Sequence, residues 1–132
     1  MTFRSFSLIS SSRLANAIVD ISIRPEVYNR LLNEQKRIIE KLGDSINPKI
    51  LDKMKYLDSV ILESLRLSSP ASHIHRKVNQ DIVVSNGCLI KNGSVVSLSS
   101  FSNFRNKTIF GDDANEFVPD RHLSDNRKLK VK

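Results

Sequence analysis

Pro70 divides the chain between two kinds of hydrophobic spacing, and that division restricts the fold more than any other feature. Before it, apolar residues recur every three or four positions, as on one face of a helix. A first helix is expected over about Ser11 to Ile23, ended at Arg24-Pro25, because proline disfavours helical angles in the preceding residue. Pro25 suits the first position of a second helix, which Gly43 stops. Val27, Leu31, Ile38 and Leu42 fall on one face of it, with Glu34, Lys36, Arg37, Glu40 and Lys41 elsewhere. A third helix is predicted from the capping pair Asn47-Pro48 to Pro70, with Ile50, Met54, Leu57, Ile61 and Leu65 as its apolar stripe.

After Pro70 the period changes. Asp81–Ser85, Cys88–Ile90 and Ser94–Leu98 are short β runs separated by Asn86-Gly87 and Lys91-Asn92-Gly93. They predict a small antiparallel sheet. Beyond Phe101 the chain is loop-like, with Phe104, Phe110 and Phe117 as anchors. The expected class is mainly α with a small β-sheet, in one domain over residues 1–132.

Composition narrows the function classes. The 21 basic and 14 acidic residues leave a net charge of +7, which favours acidic partners. That charge is spread along the chain, with a local excess only in Arg127-Lys128-Leu129-Lys130-Val131-Lys132. No aromatic residues interleave with it as a base-stacking platform requires, so a solvated basic surface is read here and no nucleic acid is expected. Cys88, the only cysteine, excludes an internal disulfide and a cysteine metal cluster, and its place in a β run predicts a small buried residue. Residues 1–19 hold Arg4, Arg13, many serines and no acid, the composition of a transit peptide, yet Leu14 to Ile23 runs as a helix directly into the next element with no small-residue cleavage pattern between. Asn16 and Asp20 interrupt that run, so no membrane-spanning segment is read.

The chemistry-bearing residues are charged. Glu63 and Arg66 lie one helical turn apart among Val60, Ile61, Leu62, Leu65 and Leu67, and Arg121 follows in Phe117-Val118-Pro119-Asp120-Arg121. Alone, Glu63 and Arg66 read as a surface ion pair worth about half a kcal/mol. A buried Glu63 could instead accept bonds from both guanidinium groups and clamp helix to loop. Deleting one partner would then cost about 3–5 kcal/mol. His73 and His75, two apart on an extended segment, could share a metal, but no carboxylate or cysteine lies near them in sequence, and no metal site is assigned. His122 is read as a loop residue.

The order helix, Glu63-x-x-Arg66, short sheet, Phe117-x-Pro119-x-Arg121 resembles the cytochrome P450 family of haem-thiolate monooxygenases. Arg24-Pro25-Glu26-Val27, Tyr56-Leu57-Asp58 and Gly87-Cys88-Leu89-Ile90-Lys91-Asn92-Gly93-Ser94 resemble further family segments. The resemblance implies that Glu63, Arg66 and Arg121 form the structural triad supporting the haem-binding core. It places Arg76 on a haem propionate, and Ala71, Ser72 and His73 along the substrate cavity. It also implies, for a full-length relative, haem, an NADPH-dependent reductase, a small apolar substrate and the endoplasmic-reticulum membrane. The departures matter equally. Axial ligation needs a cysteine in a glycine-rich loop after the Pro-x-Arg segment, and Cys88 precedes Arg121. Arg105-Asn106-Lys107 stands where the family usually has Arg-Asp-Pro. The resulting expectation is a partial haem monooxygenase with no catalytic residue of its own. The alternatives are a non-enzymatic basic module for nucleic acid or anionic membrane, and a truncated, partly unfolded product.

Overall fold

The computed structural model describes residues 3–44, 47–69 and 71–123. Pro70 and the basic run 127–132 lie outside these residues. The elements are α1 (Phe3–Ser22), α2 (Pro25–Leu42), α3 (Pro48–Leu51), α4 (Lys55–Leu67), β1 (His73–Lys77), β2 (Ile82–Val83), β3 (Leu89–Ile90), β4 (Val95–Ser99), α5 (Ser100–Asn103) and α6 (Lys107–Phe110). A 3-10 turn, Pro119–His122, closes the series. The chain is therefore mainly helical with a small β region, as its periodicity requires.

α1 begins well before Ser11, so the serine-rich stretch belongs to a helix. α2 starts with Pro25 at its first turn and stops where Gly43 takes φ 81°. Its buried residues are Val27, Leu31, Glu34 and Ile38. Two expectations for this helix are corrected. Leu42 is 52% exposed, because burial ends one turn earlier at Ile38. Glu34, placed on the polar side by its charge, is buried.

The expected third helix is two helices. Asn47 caps α3, its Oδ1 accepting from the Ile50 amide at 3.1 Å. The backbone then turns through Asp52 and Lys53 before α4 begins. The neighbouring helix supplies the reason. Glu34 Oε1 accepts from the Tyr56 amide at 2.7 Å and Oε2 from the Leu57 amide at 3.0 Å. First-turn amides have no partner within their own helix and carry partial positive charge, so a buried carboxylate there stabilises a fresh helix start.

The buried face of α4 also differs from the apolar stripe. Tyr56, Ser59, Val60, Glu63, Ser64 and Arg66 are buried, whereas Ile61 is 40% exposed. Val27, Leu31, Tyr56 and Val60 form the core, with Ile21, Leu57 and Phe117 against it. Thus α1, α2 and α4 meet around a small apolar centre, and Phe117 draws the late loop onto it. Phe104 and Phe110, the other expected anchors, are half-buried.

The β region consists of two separate antiparallel ladders, β1–β4 and β2–β3. The first expected hairpin is present: β2 pairs with β3, Ile82 opposite Ile90, and Gly87 at φ 83° closes the turn from Val84. The second Asn-Gly does not join β3 to β4. Instead β4 pairs with β1, from His73 opposite Ser99 to Lys77 opposite Val95. Hydrogen bonds from the Val78 amide to Ser94 O and from the Gly93 amide to Val78 O extend this pairing. Cys88, expected to be buried, is exposed, because it lies in the tight turn before β3. Among the described residues no helix is long and apolar enough to cross a membrane.

Candidate functional site: a carboxylate cage on α4

Glu63 is fully buried on α4. Its neighbour one turn on, Arg66, makes a bidentate pair with it: Nε donates to Oε2 and Nη2 to Oε1, both at 2.8 Å. Three more groups converge from the late loop. The Val118 amide donates to Oε1 at 2.9 Å, Arg121 Nε donates to Oε1 at 3.0 Å, and His122 Nε2 lies 2.8 Å from Oε2. Burial pushes this carboxyl up, but Arg66, His122, the Val118 amide and Arg121 outweigh it and hold the pKa at about 2. Glu63 is therefore a charged acceptor at neutral pH. It has no proton to give and no exposed oxygen to offer a substrate.

Arg66 uses all five of its donors. Besides Glu63, Nη1 reaches the carbonyls of Phe104 and Ala114, and Nη2 reaches that of Glu116 at 3.0 Å. Arg121 binds in a similar way, through Nη1 to Phe110 O and Nη2 to Asp113 O, each at 3.0 Å, with an ion pair to Asp113 at 3.1 Å. Burial works against the Arg121 charge, but Glu63 and Asp113 raise its pKa above the usual value. Together the two guanidinium groups hold a loop that has little secondary structure of its own.

A second layer supports this cage. Arg30 on α2 pairs with Asp120 in the 3-10 turn at 2.8 Å and lies over the Tyr56 ring at 4.0 Å. Arg24 lies over Phe117 at 4.2 Å and pairs with Asp20, whose other oxygen accepts from Ser64 Oγ at 2.7 Å. Arg105 stacks on Phe101 and donates to Leu67 O. Arg24, Arg30, Arg66, Arg105 and Arg121 are thus engaged in internal contacts.

The structure brings Glu63, Arg66 and Arg121 together and adds two groups the sequence did not mark, His122 and the Val118 amide. Glu34, with its hold on the start of α4, was also missed. The only advance signal was its position between Leu31 and Ile38 on the apolar face of α2. The remaining candidates stand apart from the cage. Arg76 lies in β1, is exposed, and bonds through Nη1 to the His75 carbonyl at 2.9 Å. Ala71, Ser72 and His73 are also exposed. They do not line the open apolar cleft of about 500 Å³ at the α1–α2 elbow, which is formed by Ile18, Ile21, Ser22, Pro25 and Tyr28.

The Cytochrome P450 family profile matches residues 10–132, nearly the whole chain. The chain belongs to the cytochrome P450 family. It is 29% identical over 122 residues to a fusicoccadiene C-8 hydroxylase of Alternaria brassicicola, covering 90% of this chain and 23% of that protein. It is 34% identical over 121 residues to cytochrome P450 71A19 of Arabidopsis thaliana, covering 92% of this chain and 24% of that protein. It is 28% identical over 117 residues to a bifunctional cytochrome P450/NADPH--P450 reductase of Fusarium oxysporum, covering 88% of this chain and 11% of that protein. The chain thus spans about a quarter or less of these relatives' length.

Haem is the cofactor this P450 family implies. The donor set here fits one edge of it: Arg76 is an exposed guanidinium with donors beyond its single backbone bond, suited to a carboxylate. The cage does not fit it, because Glu63 is fully enclosed and Arg66 has every donor in use.

Proposed function

We propose that these 132 residues form part of a single haem-dependent monooxygenase domain, and that their task is to fix the frame of the haem site. The observation that carries this reading is the cage: five donors from α4 and the late loop meet on one buried carboxylate. Haem, bound in the whole protein, would supply the oxygen chemistry of a monooxygenase acting on an apolar organic substrate. Glu63, Arg66 and Arg121 hold the late loop against α4. Arg76 binds a haem propionate through its free donors. Ala71, Ser72 and His73, exposed in this chain, contribute to the substrate cavity. An NADPH-dependent reductase supplies the electrons, a reading supported by the fused relative from Fusarium oxysporum. The endoplasmic-reticulum membrane is the expected location of such a protein.

The chain by itself is proposed to be inactive, since its one cysteine sits exposed in the β2–β3 turn, before the cage residues of the late loop. The test is to mix the purified chain with haem and record the carbon-monoxide difference spectrum. No thiolate-type band is expected. Such a band, lost on Cys88→Ser, would overturn the reading.

A further inference from the structure

We propose that His73 and His75 form a two-imidazole binding site for a borderline divalent transition ion, Cu2+ foremost, with Ni2+ and Zn2+ behind it. Residues two apart on a strand share one face. On β1 the two rings are stacked, their centroids 6.2 Å apart and their planes inclined by 15°. Both side chains are exposed. Opposite them on β4 stand Ser99 and Ser97, small side chains that leave room above the rings.

His73 Nδ1 lies 3.1 Å from Ser72 Oγ, which leaves Nε2 as its ligating nitrogen. Metal–imidazole bonds are about 2.0–2.1 Å long, so modest rotation of two exposed side chains brings a nitrogen of each onto one ion. Among the described residues no group of three or more His, Cys, Asp or Glu side chains converges, so water completes the coordination. This donor set selects the metal. Ca2+ and Mg2+ require oxygen ligands, and the flanking Arg76 and Lys77 disfavour an ion held by charge alone. Imidazole nitrogen suits Cu2+, Ni2+ and Zn2+, with Cu2+ strongest. Strand alternation puts Arg76 on the opposite face, so His73 is the one residue this site shares with the proposed haem and substrate residues.

The test is titration of the purified chain with Cu2+ at neutral pH, followed by electron paramagnetic resonance. One bound equivalent with nitrogen hyperfine structure is expected in the native chain and in Cys88→Ser. His73→Ala and His75→Ala should each weaken binding by about tenfold or more, an easily resolved change. In proton NMR, sub-stoichiometric Cu2+ should broaden the ring signals of His73 and His75 before that of His122. Circular dichroism checks that each variant keeps its helices. Unchanged binding in both histidine variants, loss of binding in Cys88→Ser, or earlier broadening of His122 would overturn the proposal.

Discussion

Glu63 is the residue on which acid sensitivity should concentrate. Its pKa is about 2 in the folded chain against an ordinary value of 4.5. A depressed carboxyl contributes stability that is fully present above its unfolded pKa and is lost as pH falls through the folded one. Stability should therefore decline between about pH 4.5 and pH 2, by roughly 3 kcal/mol from this group alone. Urea midpoints measured across that window test this. Glu63→Gln should remove that component of the pH dependence. It should also destabilise the chain by about 3–5 kcal/mol at neutral pH, because Arg66 is left buried without its counter-charge. Arg121→Lys keeps the charge but lacks the fork that reaches Glu63, Phe110 and Asp113 together, and should cost about 1–3 kcal/mol in the same assay. Both arginines were legible, since Glu-x-x-Arg and Pro-x-Arg are spacing patterns. His122 was not. An imidazole next to an arginine in a loop has no periodicity that points at a helix 59 positions earlier.

At the scale of elements, α4 owes its start to another helix. Glu34→Ala should leave the Tyr56 and Leu57 amides without their acceptor and destabilise the chain by about 1–2 kcal/mol. Hydrogen exchange should accelerate at those two amides first, with Glu34→Gln partly restoring protection. Equal rates in the native chain and Glu34→Ala would show that the carboxylate is not what starts α4. The same contact explains why the third helix was misread. From Pro48 to Leu67 the apolar spacing is continuous, and the break comes from a side chain on α2 that local pattern cannot register. The helices α1 and α2 were readable because their signals are local: Arg24-Pro25 at the junction and Gly43 at the stop. β1 was hidden for the opposite reason. His73-Ile74-His75-Arg76-Lys77 is exposed at every position and shows no in–out burial alternation that would mark it as a strand, although it pairs with β4 along its whole length.

For the whole molecule, the apolar surface is the notable quantity. Leu14, Ile18, Val19 and Ile23 on α1 and at its end are each more than half exposed, with the 500 Å³ cleft beside them. Contiguous apolar surface of this kind marks an interaction face or an aggregation liability. The isolated chain should therefore enhance the fluorescence of an apolar-surface dye, and Ile18→Ser should reduce it without loss of helical circular dichroism. An unchanged signal in Ile18→Ser would place the dye elsewhere. Family membership was legible from the order of motifs across the chain, whereas the exposed face was not, since a helical stripe does not reveal whether anything covers it.

The five donors of Arg66 imply an unequal tolerance to genetic change. Three of its bonds from the guanidinium end at main-chain carbonyls, those of Phe104, Ala114 and Glu116, and every amino acid offers the same oxygen. Spelling changes at Lys107, Thr108, Ile109 and Asp112 should therefore be accepted more readily than edits that lengthen or shorten the stretch. A one-residue deletion there would shift the carbonyl path against a fixed arginine.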